Sequence, residues 1–354
     1  MNFKIFGLLV CLTLVHTISA ARYALLHPAK FPIGMWVSPP DSFRNEAQFK
    51  KMADCGITFV NGFAPHENST SEVMKVLDLC AQNDMLYFVN RASTHYSVLA
   101  HSDSLPLPRE FVEGLKPYVS HPAFAGELLF DEPGKPLFKN LAAFIQQFEK
   151  NFGHSVWHVN LFPSYATGGI RTHSYEEYID SWIREVNPPC LSYDSYPLLA
   201  SGGIIDDYFY NLDLIRAKSL QANIPFWTFI QTLSIANTPG VPDKREPSGE
   251  DIRWQVWSNL AFGSKGIQYF CYWTPGNGAE IFTDALISRN GTETPRYTVV
   301  QSLNREVQYI SQWLLNSDPV GILQHSSTPY KLYIPSVYNA GPLHRITGDD
   351  VIAG

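Results

Sequence analysis

The chain alternates between two hydrophobic periods, and that rhythm limits its fold more than any single residue does. Apolar runs bounded by turn residues are separated by amphipathic stretches across residues 31–315. Phe31–Ser38 is followed by Phe43–Cys55, with Asp41 or Ser42 placed to cap a helix. Ile57–Phe63 precedes Ser71–Gln82, whose Val73, Val76, Leu77 and Cys80 share one helical face. Leu86–Arg91 precedes Pro108–Val119, and Phe124–Asp131 precedes Leu137–Phe152, which Gly153 ends as a glycine C-cap. The second half repeats the pattern with Val156–Phe162 and Tyr175–Val186, then Cys190–Tyr196 and Asp206–Ala222. Pro225–Gln231 precedes a helix that Ser248 caps and Gly263 stops. Gly266–Trp273 precedes Pro295–Leu315, where proline suits the first turn.

Near-continuous apolar strands require a parallel sheet buried on both faces. An open doubly wound sheet is the alternative, but no Gly-x-Gly-x-x-Gly follows the first strand. The expectation is an α/β protein, a (β/α)8 TIM barrel spanning residues 22–315. After Asn316 the runs 321–324, 330–334 and 344–348 read as short strands broken by Pro and Gly. Residues 316–354 are therefore expected to be the start of a β-rich C-terminal region that has been cut short.

Composition narrows the function classes. The chain is 45% hydrophobic and 17% charged, ample for one large core. A net charge of -7 without a basic stripe argues against a nucleic-acid partner and against an anionic membrane surface. Lys4, the apolar run 5–15 and the small residues Ser19-Ala20-Ala21 form a signal-peptide pattern over residues 1–21. The run is short for a membrane span, so a secreted or lumenal protein is expected, with no membrane association after cleavage. Cys55, Cys80, Cys190 and Cys271 match no zinc spacing. Cys190 and Cys271 read as buried thiols, and a Cys55–Cys80 bridge is left open. Sequons at Asn68 and Asn290 are compatible with glycosylation.

In a barrel the strand ends converge on one face. Here they carry Trp36; Asn61, with His66 beyond; Asn90 and Arg91; Asp131 and Glu132; Asn160 and Tyr165; Tyr193, Asp194 and Tyr196; Gln231; and Trp273. The strand starts have no comparable set. Buried strands seldom end in two adjacent acids, which repel and must stay near water or a partner. Pro133 fixes the turn beyond them. Carboxylates suit acid–base work on a leaving oxygen, and flat aromatics with Asn, Gln and Arg suit sugar rings. The His residues do not group with acids in ligand spacing, Gly-x-Ser-x-Gly is absent, and there is no phosphate loop. No cofactor or metal is expected, and the expected partner is an oligosaccharide or polysaccharide substrate.

Asp131-Glu132-Pro133 at the end of the fourth strand is similar to the Asn-Glu-Pro or Asp-Glu-Pro of the glycoside hydrolase superfamily of (β/α)8 barrels. Residues 31–315 resemble in particular the bacterial family 42 β-galactosidase-like proteins, which also have domains after the barrel. The resemblance implies a general acid/base at Glu132. It also implies a nucleophilic Glu ending the seventh strand, where this chain has Gln231. A second resemblance, to chitinase-like and hexosaminidase-like barrels, rests on Asp131-Glu132, Tyr193-Asp194 and Trp273, without the full Asp-x-x-Asp-x-Asp-x-Glu pattern. Those barrels use the substrate's own acetamido group as nucleophile.

The expected catalytic set is Glu132 as proton donor, Asp194 as the second carboxylate, and Asp131, which either acts directly or holds an Arg such as Arg91 and orients Glu132. Trp36, Asn61, Arg91, Asn160, Tyr165, Tyr193, Tyr196, Gln231 and Trp273 are the expected sugar contacts. Glu127 reads as a paired interior acid. Glu280 and Asp284, in the long loop after the eighth strand, are within reach of the site, with a solvated loop as the default reading. The ends of the fourth and sixth strands are expected to stand apart, with the fifth between them, unless their side chains lean together. With Gln231 unable to act as nucleophile, an inverting or substrate-assisted reaction is expected, in which Asp194 activates water or steadies a substrate acetamido group. The rival class is a barrel that holds glycans without cleaving them.

Overall fold

The computed structural model describes residue 26 and residues 30–62, 69–91, 106–153, 156–276, 278–319, 321–325 and 351–353. The strands are β1 (Ile33–Met35), β2 (Phe59–Asn61), β3 (Leu86–Val89), β4 (Phe124–Asp131), β5 (Val156–Asn160), β6 (Leu191–Tyr193), β7 (Phe226–Gln231) and β8 (Gly266–Phe270). Every pairing among them is parallel and joins sequence neighbours, and β8 pairs with β1. Between β5 and β6 the join is a bridge from Leu161 to Tyr193, where Leu161 N–H donates to Ser192 O at 2.8 Å. The sheet thereby closes into the expected (β/α)8 barrel.

Eight main helices follow the strands: α1 (Glu46–Asp54), α2 (Thr70–Gln82), α3 (Arg109–Val119), α4 (Phe138–Phe152), α5 (Tyr175–Val186), α6 (Tyr208–Ala222), α7 (Gly249–Ala261) and α8 (Pro295–Tyr309). Two boundaries differ from expectation for physical reasons. Asp41 lies in a 3-10 turn and pairs with the buried Arg44 guanidinium at 2.8 Å. Asn45 caps α1 instead, accepting from Gln48 N–H at 3.1 Å. The last helix breaks at Ile310 and resumes as Ser311–Asn316. At α7 the cap is as expected: Ser248 and Asp251 form a reciprocal capping box.

Strand alternation sorts the apolar side chains into two clusters. Ile33, Met35, Val60, Val89, Leu129, Tyr193, Ile230 and Tyr269 face the helices. Trp36, Phe59, Phe88, Leu128, Trp227 and Phe229 fill the barrel interior. Such large rings fit because small residues face them. A Cβ on Gly34 would lie 2.2 Å from the Phe59 ring, and one on Gly266 2.5 Å from Trp227.

Cys55, Cys80, Cys190 and Cys271 are all thiols, so the Cys55–Cys80 bridge is not formed. Burial pushes the Cys55 and Cys80 thiols well above the usual range, so they behave as apolar core groups. Cys190 is half-buried rather than buried. Past the barrel, Leu323–His325 pairs antiparallel with Val351–Ala353. The expected strands at 330–334 and 344–348, the signal segment 1–21, His66 and the Asn68 sequon lie outside the described residues. Among the described residues no helix is long and apolar enough to cross a membrane.

Candidate active site

The end of β4 is irregular, and the irregularity aims its acids. Against β5, Leu128 pairs with His158 and Phe130 with Val159, so Leu129 is an extra residue in a β-bulge. Leu128 packs among the interior rings, while Leu129 and Phe130 both pack toward the helices. Strict alternation would have put Phe130 inward. The bulge shifts the phase, and Asp131 opens into the barrel mouth. Glu132 follows with φ 53°, a left-handed conformation that costs a non-glycine residue about 1 kcal/mol. Three bonds hold it there. Glu132 N–H donates to Asn160 O at 2.8 Å, Tyr178 Oη donates to Pro133 O at 2.7 Å, and Leu137 N–H donates to Gly134 O at 3.0 Å.

Asp131, Glu132 and Asp194 form a carboxyl cluster, and among the described residues no cation is a cause of its shifts. Burial and then the Asp194 charge push the Glu132 carboxyl far above the carboxylate range. Glu132 therefore keeps its proton at neutral pH and donates it in a hydrogen bond to Asp194. Burial also raises Asp194, opposed by bonds from Asn160, Glu132 and Tyr196. Asp131 is open to the solvent of the cavity, but protein surrounds that cavity on most sides. Loss of bulk water, then the Asp194 charge, pushes it up to about 7.

The donor that holds the cluster is Asn160, and its orientation is set from below. Asn61 Nδ2 donates to Gln268 Oε1 (2.8 Å), Gln268 Nε2 to Ser192 Oγ (3.0 Å), and Ser192 Oγ to Asn160 Oδ1 (3.2 Å). With its oxygen occupied, Asn160 turns its Nδ2 to Asp194 Oδ1 at 2.9 Å and Asp131 Oδ1 at 3.4 Å. A polar relay thus crosses the barrel from β2 to the acids.

The acids lie in a cavity of about 560 Å³ at the C-terminal end of the barrel. Trp36, Asn160, Tyr165 and Tyr196, four of the expected sugar contacts, line it. Trp36 meets Phe229 edge-on at 5.5 Å, and Tyr196 lies 5.0 Å from Phe270. Five expected contacts are not among the described lining residues. Tyr193 faces the helices because it is one residue out of phase with Asp194. Asn61 is fully buried below the floor. Arg91 gives its guanidinium to Thr70 Oγ1 at 2.5 Å and its N–H to Glu127, so it does not hold Asp131. Trp273 packs on Phe43 at 4.8 Å. Gln231 is fully buried, and its Nε2 donates to Leu233 O and Arg245 O at 2.9 and 2.8 Å.

Phe229, Phe270 and Lys244 also line the cavity and are absent from the sequence reading, and Glu280, for which that reading defaults to a solvated loop, lines it too. Phe229 and Phe270 were recoverable: alternation puts Phe229 inward with Trp227, and Phe270 ends β8. Lys244 is buried and lies 5.2 Å from the Tyr165 ring centre, beneath a flat wall of the cavity. Glu280 reaches the cavity through a long-range ribbon, Ile235–Ala236 against Ile281–Phe282, which local pattern does not reveal. Among the described residues no group of three or more His, Cys, Asp or Glu side chains could hold a metal ion.

The glycoside hydrolase family 42 model, described as β-galactosidase, matches residues 167–310. That stretch carries Asp194, Gln231 and Glu280 and begins after Asp131-Glu132. No curated protein matches the sequence. Solved structures match by fold. The β-galactosidase of Marinomonas ef1 is 12% identical with a TM-score of 0.59, over 82% of this chain and 62% of that one. That of Rahnella sp. R3 is 15% identical with a TM-score of 0.60, over 82% and 57%. That of Bacillus circulans sp. alkalophilus is 12% identical with a TM-score of 0.59, over 82% and 57%. This chain thus spans less than two thirds of those enzymes' length. In barrel fold, and in sequence over residues 167–310, the chain resembles the glycoside hydrolase family 42 β-galactosidases.

Proposed function

We propose that this protein is a glycoside hydrolase, with Glu132 as the acid that protonates the leaving glycosidic oxygen. One observation carries the reading: a carboxyl kept protonated by burial and by neighbouring acids, in a sugar-sized cavity walled by Trp36, Tyr165, Tyr196, Phe229 and Phe270. A proton donor must hold its proton at working pH and release it to the oxygen as the bond breaks. Asp194 accepts the hydrogen bond that orients this proton, and Asn160 fixes Asp194. The aromatic walls suit the C–H faces of a sugar ring. The resemblance to family 42 supports β-galactosides as the first substrates to try. The leader pattern of residues 1–21 supports action in a secreted or lumenal setting.

The test is a screen of 4-nitrophenyl glycosides with the full chain, β-galactoside first, followed by Glu132→Gln on whichever is cleaved. Unchanged hydrolysis of the corresponding alkyl glycoside, whose leaving oxygen needs a proton where nitrophenolate does not, by a folded Glu132→Gln protein would refute the assignment. Gln231 favours a second reading, a barrel that binds glycans without cleaving them. Calorimetric binding of oligosaccharides with no hydrolysis of any glycoside would select it.

A further inference from the structure

Glycoside hydrolysis commonly needs two carboxyl groups flanking one bond. They stand about 5–5.5 Å apart for double displacement and about 6.5–9.5 Å apart when a water lies between them and the sugar. The acids on β4 and β6 do not flank anything. Glu132 is hydrogen-bonded to Asp194, so no anomeric carbon fits between them. Asp131 is the chain neighbour of Glu132 and shares the Asn160 amide with Asp194. Gln231 carries no charge and spends its amide on two carbonyls. Among the described lining residues the remaining carboxylate is Glu280.

Glu280 comes from the connection between β8 and α8, not from the β4–β6 side of the mouth. Its loop is braced. Ile281 and Phe282 pair with Ala236 and Ile235, Ser234 N–H donates to Thr283 Oγ1 at 3.0 Å, and Arg289 Nε donates to Pro275 O at 2.8 Å. Phe282 packs on Phe270, a wall of the cavity, at 6.2 Å. Thr238 Oγ1 donates to Glu280 Oε1 at 2.5 Å, which fixes one carboxylate oxygen and leaves the other for a ligand. The Glu280 charge acts on Glu132 through space, whereas Asp194 acts through a hydrogen bond as well. The two glutamates line the same cavity.

We propose that Glu280 is the second catalytic carboxylate, the base that activates water against the sugar face opposite Glu132. This rests on the reading of the site as a glycoside hydrolase. In the step, Glu280 takes a proton from water and the water oxygen bonds to the anomeric carbon. The bond from that carbon to the glycosidic oxygen breaks, and Glu132 gives its proton to the leaving oxygen. The products are a free sugar of inverted anomeric configuration and an alcohol. The proton on Glu280 returns to Glu132 through solvent.

The experiment uses the full chain and the glycoside that the wild type cleaves. Glu280→Ala should lower kcat about 10²–10⁴-fold, with KM changed far less. Azide added to this variant should restore part of the rate and yield a glycosyl azide of inverted configuration. NMR of the wild-type reaction should show the inverted anomer first. An unchanged kcat in Glu280→Ala, or a retained anomer from the wild type, overturns the role of Glu280. Loss of activity in Glu132→Gln alongside full activity in Glu280→Ala would leave the hydrolase reading standing and remove this proposal alone. A second arm does not depend on turnover. A cationic iminosugar, 1-deoxygalactonojirimycin, titrated into each protein by calorimetry, should bind Glu280→Gln at least about tenfold more weakly than wild type. Equal affinity of folded variant and wild type overturns the proposal even if no glycoside is cleaved.

Discussion

The ends of β4 and β7 are instructive together, since each carries a polar residue where a barrel keeps its chemistry. At β4 a bulge and a left-handed residue break the strand's regularity and turn Asp131 and Glu132 into the cavity. At β7 the strand pairs with β8 in unbroken register through Gln231, and the side chain stays in the fold. Gln231 supplies what the loops above it lack: Nε2 satisfies Leu233 O and Arg245 O, and Oε1 accepts from Leu198 N–H at 3.4 Å. The acids of β4 satisfy no backbone need of that kind. They are held by one amide and repel each other, which is costly for folding and useful for proton transfer. A polar strand end is thus a site residue when the surrounding backbone leaves it idle, and a structural residue when the backbone consumes it.

The sharpest way to break this contrast is to exchange the roles. Glu132→Gln keeps the volume and removes the proton, so kcat on the preferred glycoside should fall about 10²–10⁴-fold with Tm held or raised. Gln231→Glu should do the opposite. It places a carboxylate against two carbonyl oxygens in a fully buried site, at a cost of roughly 3 kcal/mol or more, and brings no gain in rate. Denaturant unfolding of the two variants reads both effects. A stable, more active Gln231→Glu protein would show that this position is a dormant nucleophile rather than a brace.

How far the sequence revealed these two ends follows from the same physics. Apolar runs of strand length alternating with 3.6-period helices announced the barrel and its eight units. The Asp-Glu-Pro ending marked β4, because acids closing an apolar strand need a reason to be there. Gln231 looked equivalent to them, since its two carbonyl partners come from a loop 14 residues on and from the next turn. Tyr193 reads as a cavity residue beside Asp194, although neighbours on a strand face opposite ways. For Glu280 the sequence favours a solvated loop, because a pairing between the loops after β7 and β8 brings it in, and pairings between distant loops leave no local period. The contact between Glu132 and Asp194 is the exception that the expected strand separation allows. The fifth strand does separate their backbones, but the side chains lean together across Asn160.

A smaller effect tests how the proton is held. The Asp194 charge and its acceptance of the Glu132 hydrogen bond both raise the Glu132 carboxyl. Asp194→Asn removes the charge, so Glu132 should lose its proton at lower pH. The alkaline limb of the rate profile should then move toward acid, while Gln231→Ala should leave that limb in place. A pH–rate series on both proteins distinguishes the cluster from the brace, and an unmoved limb in Asp194→Asn would separate Asp194 from the proton.

The smallest effect lies in stability. Asp131 is raised from the ordinary carboxylate value to about 7 by loss of bulk water and by Asp194. Its neutral form is the one the fold favours. The contribution is therefore fully present below about pH 4 and is lost as pH rises through about 7. An amide imitates the neutral form at every pH. Asp131→Asn and the wild type should then melt together at pH 4, and the variant should melt higher at pH 8. The side chain opens onto the cavity, so solvent screens the repulsion and the gain should be only about 2 °C. Calorimetric scans at the two pH values measure it. A difference of equal size at both would mean that the amide of the Asp131→Asn variant packs better rather than discharging the cluster. A lower Tm at pH 8 would mean that the Asp131 charge has a partner that stabilises it, and the cluster at the end of β4 would then be as structural as Gln231.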